Sequence, residues 1–504
     1  MKSAVESLYV ATDGGAAAKV AGKQAPMETP RGNASPLRPL SAVAPVHVKS
    51  ASSLLATAEH TGSSEFRTTN FRGILNLFFI ILFVLNVRLV VENIMRYGTL
   101  LELPRIGLFD SPLIFLGYLS VLGLPYFSFI AERYVALRSR VLANLIEGFL
   151  VIVTLALPYA IVEHSHIHPL RSLFLLMASV VYAMKIGSYW HGCWTLSELA
   201  RSGELKLFVS GKKETTLSDV ENETLKIASQ YPECLSAYQM YMFVAYPTLV
   251  FQLSYPRTES VRIRLVLRYL VEFVFCCILQ FILVEQYITP ILTNTIRGVN
   301  EKIDERQDKI SVSWFLLERF LKLTIPILYI WLLMFAELFH CWLNLLAELT
   351  RFGDRRFYLD WWNAVSIRDY WQKWNMPVHN WLVRHLYKPM RRRGYSGHLA
   401  GFLIFILSGI VHEYLIVTPI GMSWTGGFGI VLVGFVLQIP LVVLTDSDFV
   451  MKRPTLGNVM FWITWCFTGQ PLAVVVYFVA ASSPTVITRL VMWLLYGAAS
   501  HDEL

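Results

Sequence analysis

Residues 408–415 read Ser-Gly-Ile-Val-His-Glu-Tyr-Leu, which sets His412 beside Glu413 in the middle of an apolar run. A histidine at such a place has few ways to be satisfied except a polar cavity. Its ordinary pKa lies near neutrality, so it suits general-base work. The other reading is a histidine hydrogen-bonded across a helix interface, and spacing alone does not separate the two. Other ionisable groups fall inside apolar runs: Glu272, Glu285, Glu337 and His340, with Glu348 near the end of its run. Glu337 and His340 are three apart and share a helix face. That pair reads first as structural. Gln438 precedes Ile439-Pro440, and Gln470 sits in Gly469-Gln-Pro471. Proline inside a span frees backbone carbonyls that need partners, and helices broken in this way line cavities. Together these residues predict a polar chamber inside the bilayer.

The stretch 350–397 carries a second set of candidates. It holds Phe357-Tyr-Leu-Asp-Trp-Trp-Asn363, Tyr370-Trp-Gln-Lys-Trp-Asn-Met-Pro-Val-His379 and Tyr387-Lys-Pro-Met-Arg-Arg-Arg393. Tryptophan and tyrosine among arginine and lysine are what an interfacial, membrane-lying helix carries. A second reading is an anionic-ligand site, with Lys388 and Arg391 to Arg393 facing phosphates. There is no G-x-G-x-x-G and no Walker A sequence, so no nucleotide fingerprint supports a classical fold. His164, His166 and His168 resemble a metal site by composition only, and no metal is expected. The six cysteines are scattered and show neither zinc nor disulfide spacing.

The elements that must hold these groups follow from composition. Hydrophobic residues make up 55% of the 504 and charged residues 16%, against about 25% charged in soluble domains. Mean hydropathy is +0.48. A disordered chain, a coiled coil, a solenoid and an ordinary cytosolic enzyme are excluded. The pattern predicts an all-α polytopic membrane protein. Nine spans are expected, at roughly 74–96, 112–134, 141–162, 170–195, 264–292, 318–349, 398–420, 426–445 and 457–481. Each is long enough to cross ~30 Å of hydrocarbon. The piece 484–497 is too short for a span. The run 237–255, interrupted by Pro247, reads as embedded or interfacial.

Residues 1–66 read as a disordered cytosolic tail, 67–481 as the membrane domain and 482–504 as a C-terminal tail. The net charge of +8 lies between apolar runs, which favours cytosolic loops and anionic lipid over nucleic acid. The Lys/Arg bias puts the N-terminus in the cytosol with 196–263 and 350–397 as cytosolic loops. An odd number of spans leaves the C-terminus in the lumen. The chain ends His501-Asp-Glu-Leu504, a retention address that is read only there.

Phe357-Tyr-Leu-Asp-Trp-Trp-Asn363 resembles the FYxDWWN signature of the sterol and diacylglycerol acyltransferases, a branch of the membrane-bound O-acyltransferase family. His412-Glu-Tyr414 resembles the family's active-site histidine segment. Asn70-Phe-Arg-Gly-Ile-Leu-Asn76, Tyr246-Pro-Thr-Leu and Leu343 to Arg355 resemble the diacylglycerol members. The likeness covers about 70 to 480. It implies an endoplasmic reticulum enzyme of nine spans around an intramembrane reaction chamber, assembled as a homodimer or homotetramer. It implies transfer of an acyl group from acyl-CoA, a co-substrate, to the hydroxyl of diacylglycerol. No cofactor is implied. By this resemblance the signature residues are Phe357, Tyr358, Asp360, Trp361, Trp362 and Asn363. His412 is the general base, Asn375 supplies a donor to the oxyanion, and Glu413 orients or braces the site. Trp374, His379, Tyr387, Lys388, Gln438 and Gln470 are the expected substrate contacts. The rival acceptors are a sterol or a fatty alcohol. The rival from another class is a transporter, which broken helices and buried ionisable groups would also suit.

Overall fold

The computed structural model describes residues 72–100, 112–165, 168–201, 226–305, 307–420 and 430–469. The expected N-terminal tail, Gln470, His166, the C-terminal retention address and much of the ninth span lie outside them.

Every regular element among the described residues is helical. In the order of the chain they are α1 (Arg72–Tyr97), α2 (Pro112–Val135), α3 (Arg140–Ser165), α4 (Pro169–Arg201) and α5 (Ala237–Ala245). Then come α6 (Ile263–Asp304), α7 (Lys309–Leu349) and α8 (Ile367–Lys373). A run through Met376–Leu382, Val383–Tyr387 and Lys388–Arg392 forms α9. The last three are α10 (Gly397–Ile416), α11 (Ile430–Thr445) and α12 (Pro454–Ile463). Six helices, α2, α3, α4, α6, α7 and α10, are long and apolar enough to cross a membrane by length and composition. The chain is a multi-pass membrane protein.

The stretch 293–317, expected as a luminal connection, is helical almost throughout. At ~1.5 Å per residue, α6 alone is about 63 Å long, twice the thickness of the hydrocarbon. It therefore projects with α7 as a helical hairpin, closed by its own core of Val299, Ile303 and Val312.

Helices α2, α3 and α4 form a tight bundle around Val121, Ile161, Leu175 and Leu176. Gly117 lets α2 approach α4, because a Cβ there would lie 3.0 Å from the Leu175 side chain. Two polar pairs lie in this bundle. Ser128 donates to Glu147 at 2.8 Å, and Arg140 bonds Glu132 at 2.6 Å. Lys185 donates to the carbonyls of Phe243, Val244 and Tyr246 at 2.7–3.0 Å. A cation there also meets the negative end of the α5 dipole. The run 237–255 is thus one short helix followed by a mostly buried, bent loop. Phe243 and Phe251 pack in the interior.

Several long helices widen into π-helical turns where an ionisable or amide side chain interrupts the apolar run. Ala131–Val135 carries Glu132, Val284–Ile288 carries Gln286, Ala336–Trp342 carries Glu337 and His340, and Val383–Tyr387 carries Arg384 and His385. Such turns often mark functional positions. In this chain each lets a polar group reach a neighbouring element.

Candidate active site

His412 lies on α10, fifteen residues after its first residue, Gly397. That is about 22 Å along the axis, deep within the span. Its Nδ1 sits 2.7 Å from the carbonyl oxygen of Ser408 and 3.5 Å from the Ser408 hydroxyl. A carbonyl only accepts, so Nδ1 carries the proton. The neutral ring then presents the lone pair of Nε2 as its basic site. The ring packs against Phe435 of α11 at 5.0 Å and Trp371 of α8 at 6.5 Å between centroids. The result is a half-buried base of defined tautomer between two aromatic walls.

Its neighbours in sequence do different work. Glu413 is 1% exposed and, one residue on, points about 100° around the helix from His412. It therefore faces the protein interior, not the wall that His412 shares with Trp371 and Phe435. The Tyr414 hydroxyl donates to the Leu155 carbonyl at 2.9 Å and contacts the Ser179 hydroxyl at 3.0 Å. Its ring lies against Tyr159. Tyr414 thereby sets the rotation of α10 against α3 and α4. The sequence marks it only as part of the His412-Glu-Tyr414 segment and gives no sign of its partners on α3 and α4.

The signature segment forms a packed hub. Phe357 is buried with Tyr246, Ala347 and Phe352. Trp361 and Trp374 are buried with Phe335, Tyr370, Phe461 and Trp465. These tryptophans are interior aromatic packing rather than anchors at a membrane surface, which corrects the expectation of a membrane-lying helix. Tyr358 reaches His340 Nδ1 at 3.0 Å, tying the segment to α7. The Trp362 carbonyl accepts from Asn458 at 3.0 Å and Trp462 at 3.2 Å, tying it to α12. Asp360 is exposed and 3.5 Å from Lys373, and Asn363 is exposed. Glu348, which is fully buried, holds both flanks in place. It binds Arg262 through two side-chain bonds at 3.0 and 2.8 Å, and Arg355 at 2.6 Å. Glu337 and His340 do not pair with each other. Glu337 faces Gln280 of α6, whose amide reaches both carboxylate oxygens at 2.9 Å.

Asn375 caps α9: its side-chain oxygen accepts from the Val378 N–H at 3.2 Å. The cap leaves the amide Nδ2 as the group able to donate elsewhere. His379 lies one turn on, and burial holds its pKa below the ordinary histidine value. It is therefore neutral near pH 7 and would meet a phosphate as an N–H donor rather than as a cation. Tyr387 stands over the start of α10, where a Cβ on Gly397 would lie 3.2 Å from its hydroxyl. Lys388 and Arg391 to Arg393 are exposed. Gln438 is half-buried on α11, one turn after Phe435, the residue that touches His412. No hydrogen bond or ring contact among the described residues joins His412 to Asn375, His379, Tyr387, Lys388 or Gln438. The basic end of α9 stands at the start of α10, about 22 Å along that helix from His412. No group of three or more metal-ligating side chains occurs among the described residues.

Residues 167–479 match the model of the membrane-bound O-acyltransferase family. Curated relatives point the same way. The chain is 34% identical over 413 residues to diacylglycerol O-acyltransferase 1C of Glycine max, covering 81% of this chain and 74% of that one. It is 33% identical over 416 residues to diacylglycerol O-acyltransferase 1 of Corylus americana, covering 81% and 71%. It is 34% identical over 423 residues to the Bos taurus diacylglycerol O-acyltransferase 1, covering 82% of each. The chain belongs to the membrane-bound O-acyltransferase family.

Proposed function

We propose that this protein transfers a fatty acyl group from acyl-CoA to the sn-3 hydroxyl of diacylglycerol, giving triacylglycerol and free CoA. The observation that carries the reading is His412 itself: a half-buried imidazole with Nδ1 committed to a carbonyl, within the span of a family whose members are O-acyltransferases. The names of the relatives supply the acceptor.

In this reading Nε2 of His412 takes the hydroxyl proton as the oxygen attacks the thioester carbonyl. Charge develops on the carbonyl oxygen, and preorganised donors in a dry site stabilise it. The Asn375 amide is the candidate donor. The tetrahedral species collapses and expels the CoA thiolate. The proton on His412 passes to that sulfur, and the imidazole returns to its neutral form. The thioester is already activated, so no resident metal or cofactor is required. Glu413 braces α10 from the buried side.

The two substrates enter by different routes. CoA is large and anionic and stays at the cytosolic end, where Tyr387, Lys388 and the Arg391 to Arg393 run surround the start of α10. Diacylglycerol is apolar and arrives from the bilayer. Burying each methylene of an acyl chain contributes about 0.8 kcal/mol. In this reading Gln438, half-buried on the face beside Phe435, orients the polar head of a bound substrate, and Gln470 shares that role. The distribution of Lys and Arg supports a cytosolic N-terminus and a luminal C-terminus in the endoplasmic reticulum membrane. The assembly is taken as a homodimer or homotetramer.

The test is His412→Ala. Losing a general base costs ~10²-fold or more, about 2.7 kcal/mol of barrier. The variant should accumulate in the membrane and bind acyl-CoA normally with turnover reduced by that factor. Near-normal turnover removes His412 from the mechanism.

A further inference from the structure

A partly buried hydrogen-bond chain outside the His412 site joins α9 to α4. Met184, Gly187, Ser188 and His191 share one face of α4, spaced three and four apart. Trp381 and His385, four apart, face them from α9. The Trp381 indole donates to the Met184 carbonyl at 2.8 Å. The ring lies over Gly187, at ordinary van der Waals distance. His385 Nε2 lies 2.8 Å from the Ser188 hydroxyl, which itself accepts from the Phe251 N–H at 2.8 Å. His385 Nδ1 lies 2.7 Å from His191 Nδ1.

We propose that His385 is a positioning residue: through Ser188 and His191 it latches α9 onto α4 and so sets the end of α9 that receives acyl-CoA. The inference rests on the preceding reading that Tyr387 and Lys388 face the CoA. Those residues lie two and three positions after His385, so any rotation of α9 moves them directly.

The proton count makes the latch specific. Two imidazole nitrogens at 2.7 Å need one N–H and one lone pair between them. If Ser188 donates to Nε2, His385 donates from Nδ1 to His191. The Phe251 N–H, the Ser188 hydroxyl and both rings then form one chain with every donor used in the same direction. A proton added at His191 Nδ1 would set two N–H groups head to head, and one added at His385 Nε2 would reverse the Ser188 bond. The charged groups facing the pair are Arg384, Arg392 and Glu198. The two cations oppose a second proton and outnumber the one carboxylate. Burial, Arg384 and His191 all hold His385 far below the ordinary histidine value. His385 therefore stays neutral through the physiological range, and the contact acts as a fixed latch rather than a pH switch.

The experiment uses purified full-length protein with His385→Leu, His385→Asn, Ser188→Ala and, for comparison, Lys388→Ala. His385→Leu removes both polar atoms, whereas Asn keeps a polar atom near the Nδ1 position. The readouts are KM for oleoyl-CoA, kcat, and deuterium uptake of 376–392 against 397–416. We expect His385→Leu to raise KM about tenfold with kcat within threefold, since loss of preorganisation weakens uniform binding. Uptake should rise in 376–392 alone. His385→Asn should recover much of the KM. Should His385→Leu fail to accumulate, Ser188→Ala carries the test with an expected threefold rise. Unchanged KM in the His385 and Ser188 variants, beside a raised KM in Lys388→Ala, would overturn the latch and leave the reading of α9 standing. Unchanged KM in all of them would remove α9 from acyl-CoA binding and the latch with it.

Discussion

Tyr414→Phe deletes one oxygen and asks how α10 is aimed. The hydroxyl bonds the Leu155 carbonyl at 2.9 Å and touches the Ser179 hydroxyl at 3.0 Å. Neither partner is stranded by its loss. Leu155 lies inside α3, where its carbonyl accepts along the helix, and Ser179 donates to the Leu176 carbonyl at 2.7 Å. The stability cost is therefore that of an ordinary hydrogen bond, about 1 kcal/mol. The kinetic cost is larger. A side-chain nitrogen about 6 Å from a helix axis moves about 1 Å when the helix turns by about 10°. A displacement of about 1 Å at a reacting group can cost up to ~10²-fold. We expect kcat to fall about tenfold with KM for oleoyl-CoA unchanged, in steady-state assays of detergent-purified protein. Ser179→Ala should lower kcat less and should not add to Tyr414→Phe, because both remove the same contact. A Tyr414→Phe enzyme that melts lower yet keeps its full kcat would show that Tyr414 only packs, and that α10 is aimed by other contacts.

Three further outcomes are expected. Glu348→Gln should lower thermal stability strongly, on the scale of about 3 kcal/mol for a broken buried ion pair, because Arg262 and Arg355 lose the carboxylate they share; a shift of only a degree or two in melting would deny the network that weight. Gly457→Ala should disrupt the seat of α12 on the signature segment, since a Cβ there would be driven into the Val365 backbone carbonyl; normal accumulation of that variant would show that α12 shifts freely. Because burial depresses the His379 pKa, its protonated form exists only below the ordinary range. KM for acyl-CoA should then stay flat from pH 7 to 8, and His379→Gln should change it less than threefold; a KM that rises with pH in the native protein and is flat in His379→Gln would show a cationic His379.

Much of the helical body was readable because crossing a bilayer demands long apolar runs, and these survive any local preference. α2, α3 and α4 begin and end close to the expected bounds for that reason. The projecting part of α6 and α7 was not readable as helix, because its polar residues signal only exposure, and an amphipathic helix in water looks like a charged loop. His412 was readable because an ionisable group at mid-span is costly. Tyr414 and His385 were not. Their roles depend on partners more than a hundred residues away in the chain, and tyrosine and histidine beside a membrane are ordinary. The tryptophans of the signature segment were misplaced for a related reason. Composition cannot distinguish an aromatic belt at an interface from an aromatic core, and the packing of Trp361 against Phe335 and Trp374 depends on folding across α7, α8 and α12.

The most direct test of the proposed reaction offers purified protein labelled oleoyl-CoA with diacylglycerol, cholesterol and a fatty alcohol in competition. The reading predicts label in triacylglycerol, lost in His412→Ala. Label in steryl or wax ester would overturn the acceptor while keeping the histidine, and no ester from folded protein would contradict acyl transfer altogether.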